Sequence, residues 1–211
     1  MPLESPFNLY FDKKYCINID SRTDRWAQVQ AECAREGFEV ERYAACVDDH
    51  RVLAFNGSQF SVLCRAYQES KGSTLILEDD CVFKNTMHLH YAMNELPPDW
   101  EVLYLGGNIL GMDTHPFRPP IRHSAHLFKL ADCWQTHAMV YSRAGLEHIT
   151  ENFKWDNGYA YDEWLRQNIL PRGKSFIIAP QIAYQRPGWS DLWNCPSDYS
   201  SLFDRGNALL K

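Results

Sequence analysis

The sequence predicts an α/β protein with a largely parallel sheet, on three observations. Short apolar runs end in polar residues at Tyr15-Cys16-Ile17-Asn18-Ile19-Asp20, at Leu75-Ile76-Leu77-Glu78-Asp79-Asp80 and at Val102-Leu103-Tyr104-Leu105. Segments with helical spacing separate them. Strands and helices therefore alternate along the chain, the pattern of a sheet whose strands are joined by crossover helices.

In chain order, the first run is followed by the polar turn Ser21-Arg22-Thr23-Asp24-Arg25 and a helix closing at Glu36-Gly37. Phe38 to Ala45 alternates apolar and charged residues as a second strand does, and Phe60 to Ser70 has helical spacing until Gly72 breaks it. A third strand, Leu75 to Leu77, carries three consecutive carboxylates at its end. A helix over Thr86 to Glu95 stops at Pro97-Pro98, and Gly106-Gly107 ends the next strand. Gly111 to Arg122 lacks periodicity and reads as a long loop. Leu127 to Leu130 and His137 to Tyr141 read as strands. Ser142 is a helix N-cap, and Tyr161 to Ile169 is a helix with acids in its first turn. Ser175 to Ala179 is the last strand, and the tail beyond it shows little regular pattern. The organisation expected is a single domain over 1–211, with 1–12 and about 195–211 as peripheral tails.

With 211 residues, 45% hydrophobic, and a net charge of -6, the chain has enough apolar content for a substantial core. It has no general attraction to nucleic acid or anionic membrane. Its seven cysteines are odd in number and form no C-x-x-C pair, so reduced thiols are expected rather than a disulfide framework or a zinc site. No apolar stretch approaches the roughly 20 residues of a membrane span, and a cytoplasmic location is the default expectation.

The chemistry sits at the polar strand ends. Ligands of open α/β sheets bind beyond the carboxyl ends of the strands, where Asn18 to Arg25 and Glu78 to Asp80 are expected. An arginine-bearing turn beside clustered carboxylates suits a nucleotide diphosphate, its charge shared between arginines and Mg²⁺ or Mn²⁺. Neither G-x-G-x-x-G nor G-x-x-x-x-G-K-[ST] is present, which sets aside the common dehydrogenases and NTPases. What remains is a metal-bridged diphosphate acting as leaving group.

Several segments, in order, carry a family resemblance: Tyr15 to Arg25, Leu75 to Phe83, Leu103-Tyr104-Leu105-Gly106, Thr136 to Gly145, Asp162, and Gln185 with Ser190-Asp191. Together they resemble the motifs of glycosyltransferase family 25, which includes lipooligosaccharide and collagen hydroxylysine galactosyltransferases. The resemblance implies a GT-A fold, with a Rossmann-like, mostly parallel sheet and helices on both faces. It also implies a UDP-linked donor, with UDP-glucose or UDP-galactose foremost. Glu78-Asp79-Asp80 would be the counterpart of the metal-binding D-x-D motif: Asp80 the direct ligand of Mn²⁺ or Mg²⁺, Glu78 or Asp79 reaching the ribose or metal-bound water. Asn18, Asp20, Arg22 and Arg25 would line the nucleotide pocket, and Asp162 would be the general base of an inverting displacement, with Glu163 beside it. His137, Gln185, Ser190 and Asp191 would contact donor or acceptor.

Other readings of the same residues stand beside these. Arg22 and Arg25 also suit pairing with Asp20 and Asp24, and two acids at a helix start also answer the helix dipole. Trp189 and Trp193 suit either sugar stacking or core closure. His115, His123, His126 and His137 show no metal-binding helical spacing. The segment Ser61 to Tyr67 lacks the histidine that usually follows its serine in the family, leaving a non-catalytic nucleotide-sugar-binding protein as an alternative. Metal-dependent hydrolysis of the donor is a third reading. A saccharide is the preferred acceptor; a hydroxylated protein side chain or a hydroxymethylated DNA base is equivalent at the reacting oxygen.

Overall fold

The computed structural model describes residues 4–111 and 117–211, so His115 and part of the long loop lie outside the described residues. The chain begins with a short helix, α1 (Pro6–Tyr10), leading into β1 (Phe11–Asn18), α2 (Thr23–Arg35), β2 (Glu41–Ala44), α3 (Arg51–Glu69) and β3 (Ser73–Glu78). Next come β4 (Cys81–Phe83), α4 (His88–Glu95), β5 (Val102–Tyr104), β6 (Ile121–Arg122), β7 (Leu127–Lys129), β8 (Ala138–Tyr141), α5 (Arg143–Asn152) and α6 (Tyr161–Asn168). A short 3₁₀ turn precedes β9 (Ser175–Ile178), β10 (Ala183–Gln185), β11 (Gly188–Ser190), β12 (Cys195–Ser197) and α7 (Ser200–Leu209).

Eight strands form the central sheet in the order β2-β1-β3-β8-β5-β9-β7-β6. β8 and β7 run against the other strands, so the sheet is mixed but mostly parallel in direction. Alternation along each strand sends neighbouring side chains to opposite faces. Tyr15, Ile17, Ile76 and Met139 pack with Val62 and Leu63 of α3, Ile149 of α5 and Leu165 of α6. Cys16, Leu75, Leu77 and Val140 pack on the other face with Phe7 of α1, Val29 of α2 and Leu89 of α4. Both faces are covered, which is why β3 reads as a continuous apolar run rather than an alternating one. The fold class expected from the sequence, α/β with helices on both faces, is the one observed. Among the described residues no helix is long and apolar enough to cross a membrane.

Three local differences have physical causes. Helix α3 starts at Arg51, nine positions before the stretch whose spacing shows it. Asn56, Gly57 and Ser58 are poor helix formers, and tertiary bonds hold the helix there instead. Asn56 Nδ2 donates to the carbonyls of Trp155 and Tyr159, while Ser58 Oγ accepts from the Cys46 N–H at 2.8 Å. The tail forms β10 against β4 and a β11–β12 hairpin, whose three-residue strands are too short to show a period. The segments read as peripheral carry core side chains: Phe7 and Phe11 are buried at one end of the chain and Leu210 at the other.

Gly106, within the quoted Leu-Tyr-Leu-Gly segment, marks a close backbone approach. Leu105 accepts from the N–H groups of Ile182 and Ala183, and a Cβ on Gly106 would lie 1.8 Å from the Ala183 carbonyl oxygen. Any side chain there must push β10 away from the end of β5. Gly106→Ala is expected to cost about 3 kcal/mol, the upper range of overpacking, measurable by urea unfolding. A loss below about 0.5 kcal/mol would show the approach to be soft.

Candidate functional site

Parallel pairing of β1 with β3 sets Ile17 opposite Glu78, so both strands deliver their polar ends to the same edge of the sheet. A cavity of about 850 Å³ opens there. Of the fourteen residues singled out from the sequence, eleven line it: Asn18, Arg25, Glu78, Asp79, Asp80, Asp162, Glu163, Gln185, Trp189, Ser190 and Asp191. Asp20, Arg22 and His137 do not.

The three consecutive acids take three different sets of partners. Glu78 Oε1 accepts from Thr136 Oγ1 at 2.6 Å and Gln59 Nε2 at 3.2 Å. Asp79 accepts from Asn18 Nδ2 at 2.7 Å and from Arg25 at 2.9 Å. Asp80 Oδ2 accepts from Gln185 Nε2 at 3.2 Å, while its Oδ1 is buried and, among the described residues, without a partner. Burial pushes the Glu78 and Asp80 carboxyls up; Asp80 adds to the rise at Glu78, Asp79 to that at Asp80, and Arg25 opposes the latter. Gln59 carries no sequence signal as a site residue, because its role follows from reaching Glu78 across the fold, whereas Thr136 opens one of the motif segments without being singled out there.

The two sequence-predicted arginines are engaged with acids. Arg22 pairs with Asp191 at 2.6 Å and Asp24 at 3.1 Å. Arg25 reaches Asp79, lies 3.9 Å from both Asp80 and Asp191, and donates to the Trp189 carbonyl. Together they tie the turn after β1 to the β11 hairpin. Asp20 is exposed and pairs with Arg42 at 2.6 Å, and Arg42 Nε also donates to Asn18 Oδ1 at 2.8 Å. Arg42 is thus a bracing residue that the sequence did not single out.

Asp162 stands in the first turn of α6, its carboxylate accepting from the Glu163 N–H at 2.9 Å and the Gln135 N–H at 3.4 Å. Burial raises its pKa, and those two N–H groups oppose the rise. Gln135 holds φ +73°, a left-handed conformation uncommon for a residue with a Cβ, at the cavity wall. Glu163 turns along the helix instead, pairing with Arg166 at 2.6 Å and accepting from Gln167 at 2.6 Å. His137 is buried next to Gly106, and burial takes its pKa down to about 4, leaving the ring neutral. Its carbonyl accepts from the Glu78 N–H at 3.0 Å, so its link to the site is through the main chain.

The rim is aromatic: Trp189 is 47% exposed and Trp193 60%, neither closing the core. Trp134 is buried in the cavity wall, and Trp164 belongs to the core. Among the described residues seven carboxylates and three arginines line the cavity. An acidic surplus of this size leaves a diphosphate poorly received without a cation. Among the described residues no three His, Cys, Asp or Glu side chains gather as a ready-made metal cage. Magnesium-type sites use one or two carboxylates and complete the shell with water and substrate phosphates, and the unpartnered Asp80 Oδ1 with nearby Glu78 fits that donor set.

Comparison with protein-family models gives no match, and comparison with curated proteins gives none. Among solved structures, the chain is similar to a glycosyltransferase involved in glycosylation of the major capsid of PBCV-1. That match has a TM-score of 0.49 and 9% identity, covering 92% of this chain and 98% of that one. It is also similar to the Drosophila β-1,4-galactosyltransferase 7 complex with manganese, UDP-Gal and xylobiose. There the TM-score is 0.38 and the identity 16%, over 75% of this chain and 61% of that one. Likeness at this level leaves function to be argued from the site.

Proposed function

We propose that this protein is a metal-dependent glycosyltransferase of the GT-A type, akin to family 25. It moves a hexose from a nucleotide diphosphate sugar, UDP-linked in the first instance, to a saccharide hydroxyl with inversion. One observation carries the reading: Asn18, Arg25, the acidic triplet, Asp162, Gln185 and Asp191, scattered over the sequence, share one cavity at the polar ends of the strands. Among the described residues seven acids line this 850 Å³ space, and burial of Glu78, Asp80 and Asp162 there suits a cationic or proton-transfer task.

Asp80, with Glu78, would hold Mn²⁺ or Mg²⁺, which when bound offsets the negative charge of the departing diphosphate. Asp79 is locked by Asn18 and Arg25, and that lock fixes the position of its neighbours on either side. Asp162 takes the acceptor proton. Its burial keeps its proton affinity above that of a solvated carboxylate, while the Gln135 and Glu163 N–H groups orient it.

Trp189 and Trp193 favour a saccharide acceptor, since exposed indoles at a rim offer apolar faces to sugar rings. Trp193→Ala is expected to raise the acceptor KM about 2- to 10-fold with the donor KM unchanged, the effect of one lost stacking contact. An unchanged acceptor KM would remove that residue from the acceptor site.

The reading is tested by incubating the protein with UDP-, GDP- and TDP-sugars, Mn²⁺ and oligosaccharide acceptors, and following nucleoside diphosphate release. Acceptor-dependent release from one donor is expected. Equal release with and without acceptor would identify a hydrolase instead, and no release from any donor would overturn catalysis.

A further inference from the structure

We propose that Arg186 is the side chain that receives the anionic phosphate in this cavity, the task the sequence pattern assigns to Arg22 and Arg25. The proposal rests on the nucleotide-sugar reading above and deepens it at one residue.

Charge pairing decides which arginine is available. Arg22 and Arg25 are neutralised by Asp24, Asp79 and Asp191, and a phosphate competing for either would have to displace a carboxylate. Arg186 follows directly on β10, and its main-chain N–H donates to the Asp80 carbonyl at 2.7 Å. The backbone is thereby fixed beside the acidic triplet. Nevertheless, among the described residues its guanidinium has no acid within ion-pair distance, and its Nε is buried with no hydrogen-bond partner. A buried charged N–H left unmade costs free energy until a ligand completes it. Arg51, the third arginine of the cavity lining, is exposed at the start of α3, where water satisfies it.

The neighbouring orphans sharpen the ligand class. Among the described residues Asp80 Oδ1 and Gln185 Oε1 are buried acceptors without partners, and Arg186 Nε is a buried donor without one. All three residues line the one cavity, and two acceptors with one cationic donor suit a cation-bridged phosphate, the acceptors serving the cation or its water and the guanidinium the phosphate oxygen. Guanidinium geometry favours this, because its planar fork matches two oxygens of one phosphate.

The test is calorimetric titration of the full chain with UDP and, separately, with inorganic pyrophosphate, both with Mg²⁺, for wild type, Arg186→Gln, Arg186→Lys and Arg51→Gln. Arg186→Gln is expected to weaken both ligands about 10- to 100-fold. Arg186→Lys should restore part of that loss, and Arg51→Gln should change affinity less than about threefold, as for an exposed charge. Thermal unfolding serves as the control: Arg186→Gln should melt no lower than wild type, because no protein contact of Nε is lost. If wild type binds UDP and Arg186→Gln binds it equally well, Arg186 is excluded and the nucleotide reading survives. Should wild type bind pyrophosphate but not UDP, with Arg186→Gln losing it, the anion site stands and the nucleotide reading falls. Binding of neither ligand would overturn both.

Discussion

Asp162→Asn is expected to lower kcat by about a hundred- to ten-thousand-fold, the usual contribution of a positioned general base, with the donor Kd unchanged. Asparagine keeps the shape and the carbonyl oxygen that accepts from the Gln135 or Glu163 N–H, so the fold should melt as the wild type does. It removes the proton acceptor and keeps one of the two N–H contacts, the 2.9 Å one from Glu163 being the shorter. Glu163→Gln is the comparison, because Glu163 is already committed to Arg166 and Gln167. Steady-state kinetics of the pair decides the assignment: a kcat within threefold of wild type for Asp162→Asn would move the base elsewhere.

Asp80→Asn is expected to abolish metal-dependent donor binding, a loss of at least about a hundredfold, while the apo-protein melts no lower than wild type. Two observations give that combination. The Asp80 carboxylate is disfavoured by burial and by Asp79, so its charge works against the apo fold. Among the described residues its Oδ1 has no partner, so replacement breaks no contact there. A buried carboxylate that opposes stability and, among the described residues, leaves one oxygen unpartnered suits a ligand-binding task. Melting curves with and without Mn²⁺ and donor measure both halves; a ligand-induced rise in Tm equal to wild type would contradict the assignment.

How much of this was legible in the sequence follows from the range of each interaction. Leu75-Ile76-Leu77 announces a strand covered on both faces, and the acids after it announce a cavity, because both are signals carried by adjacent residues. Ser142 likewise caps α5 as read, its Oγ accepting from the Gly145 N–H at 3.0 Å. The partners of the acids were not legible. Gln185 meets Asp80 across 105 positions, and Asp191 meets Arg22 across 169. No periodicity or local motif encodes such pairs, so the sequence shows arginines near carboxylates without showing which arginines are already neutralised. The early part of α3 was hidden for a related reason, since Asn56, Gly57 and Ser58 weaken the helix signal locally and are compensated by bonds to distant backbone. His137 illustrates the reverse: it lies in a motif, yet burial next to Gly106 leaves it a main-chain role.

The central claim is that the acid-lined cavity binds a nucleotide sugar together with a divalent cation. Calorimetric titration of the protein with UDP-glucose and UDP-galactose, with and without Mn²⁺, tests it most directly. Saturable binding of one donor, at least about tenfold tighter with the metal and lost in Asp80→Asn, is the predicted result. Binding of neither donor with Mn²⁺ present, or equal affinity with and without it, would contradict the claim.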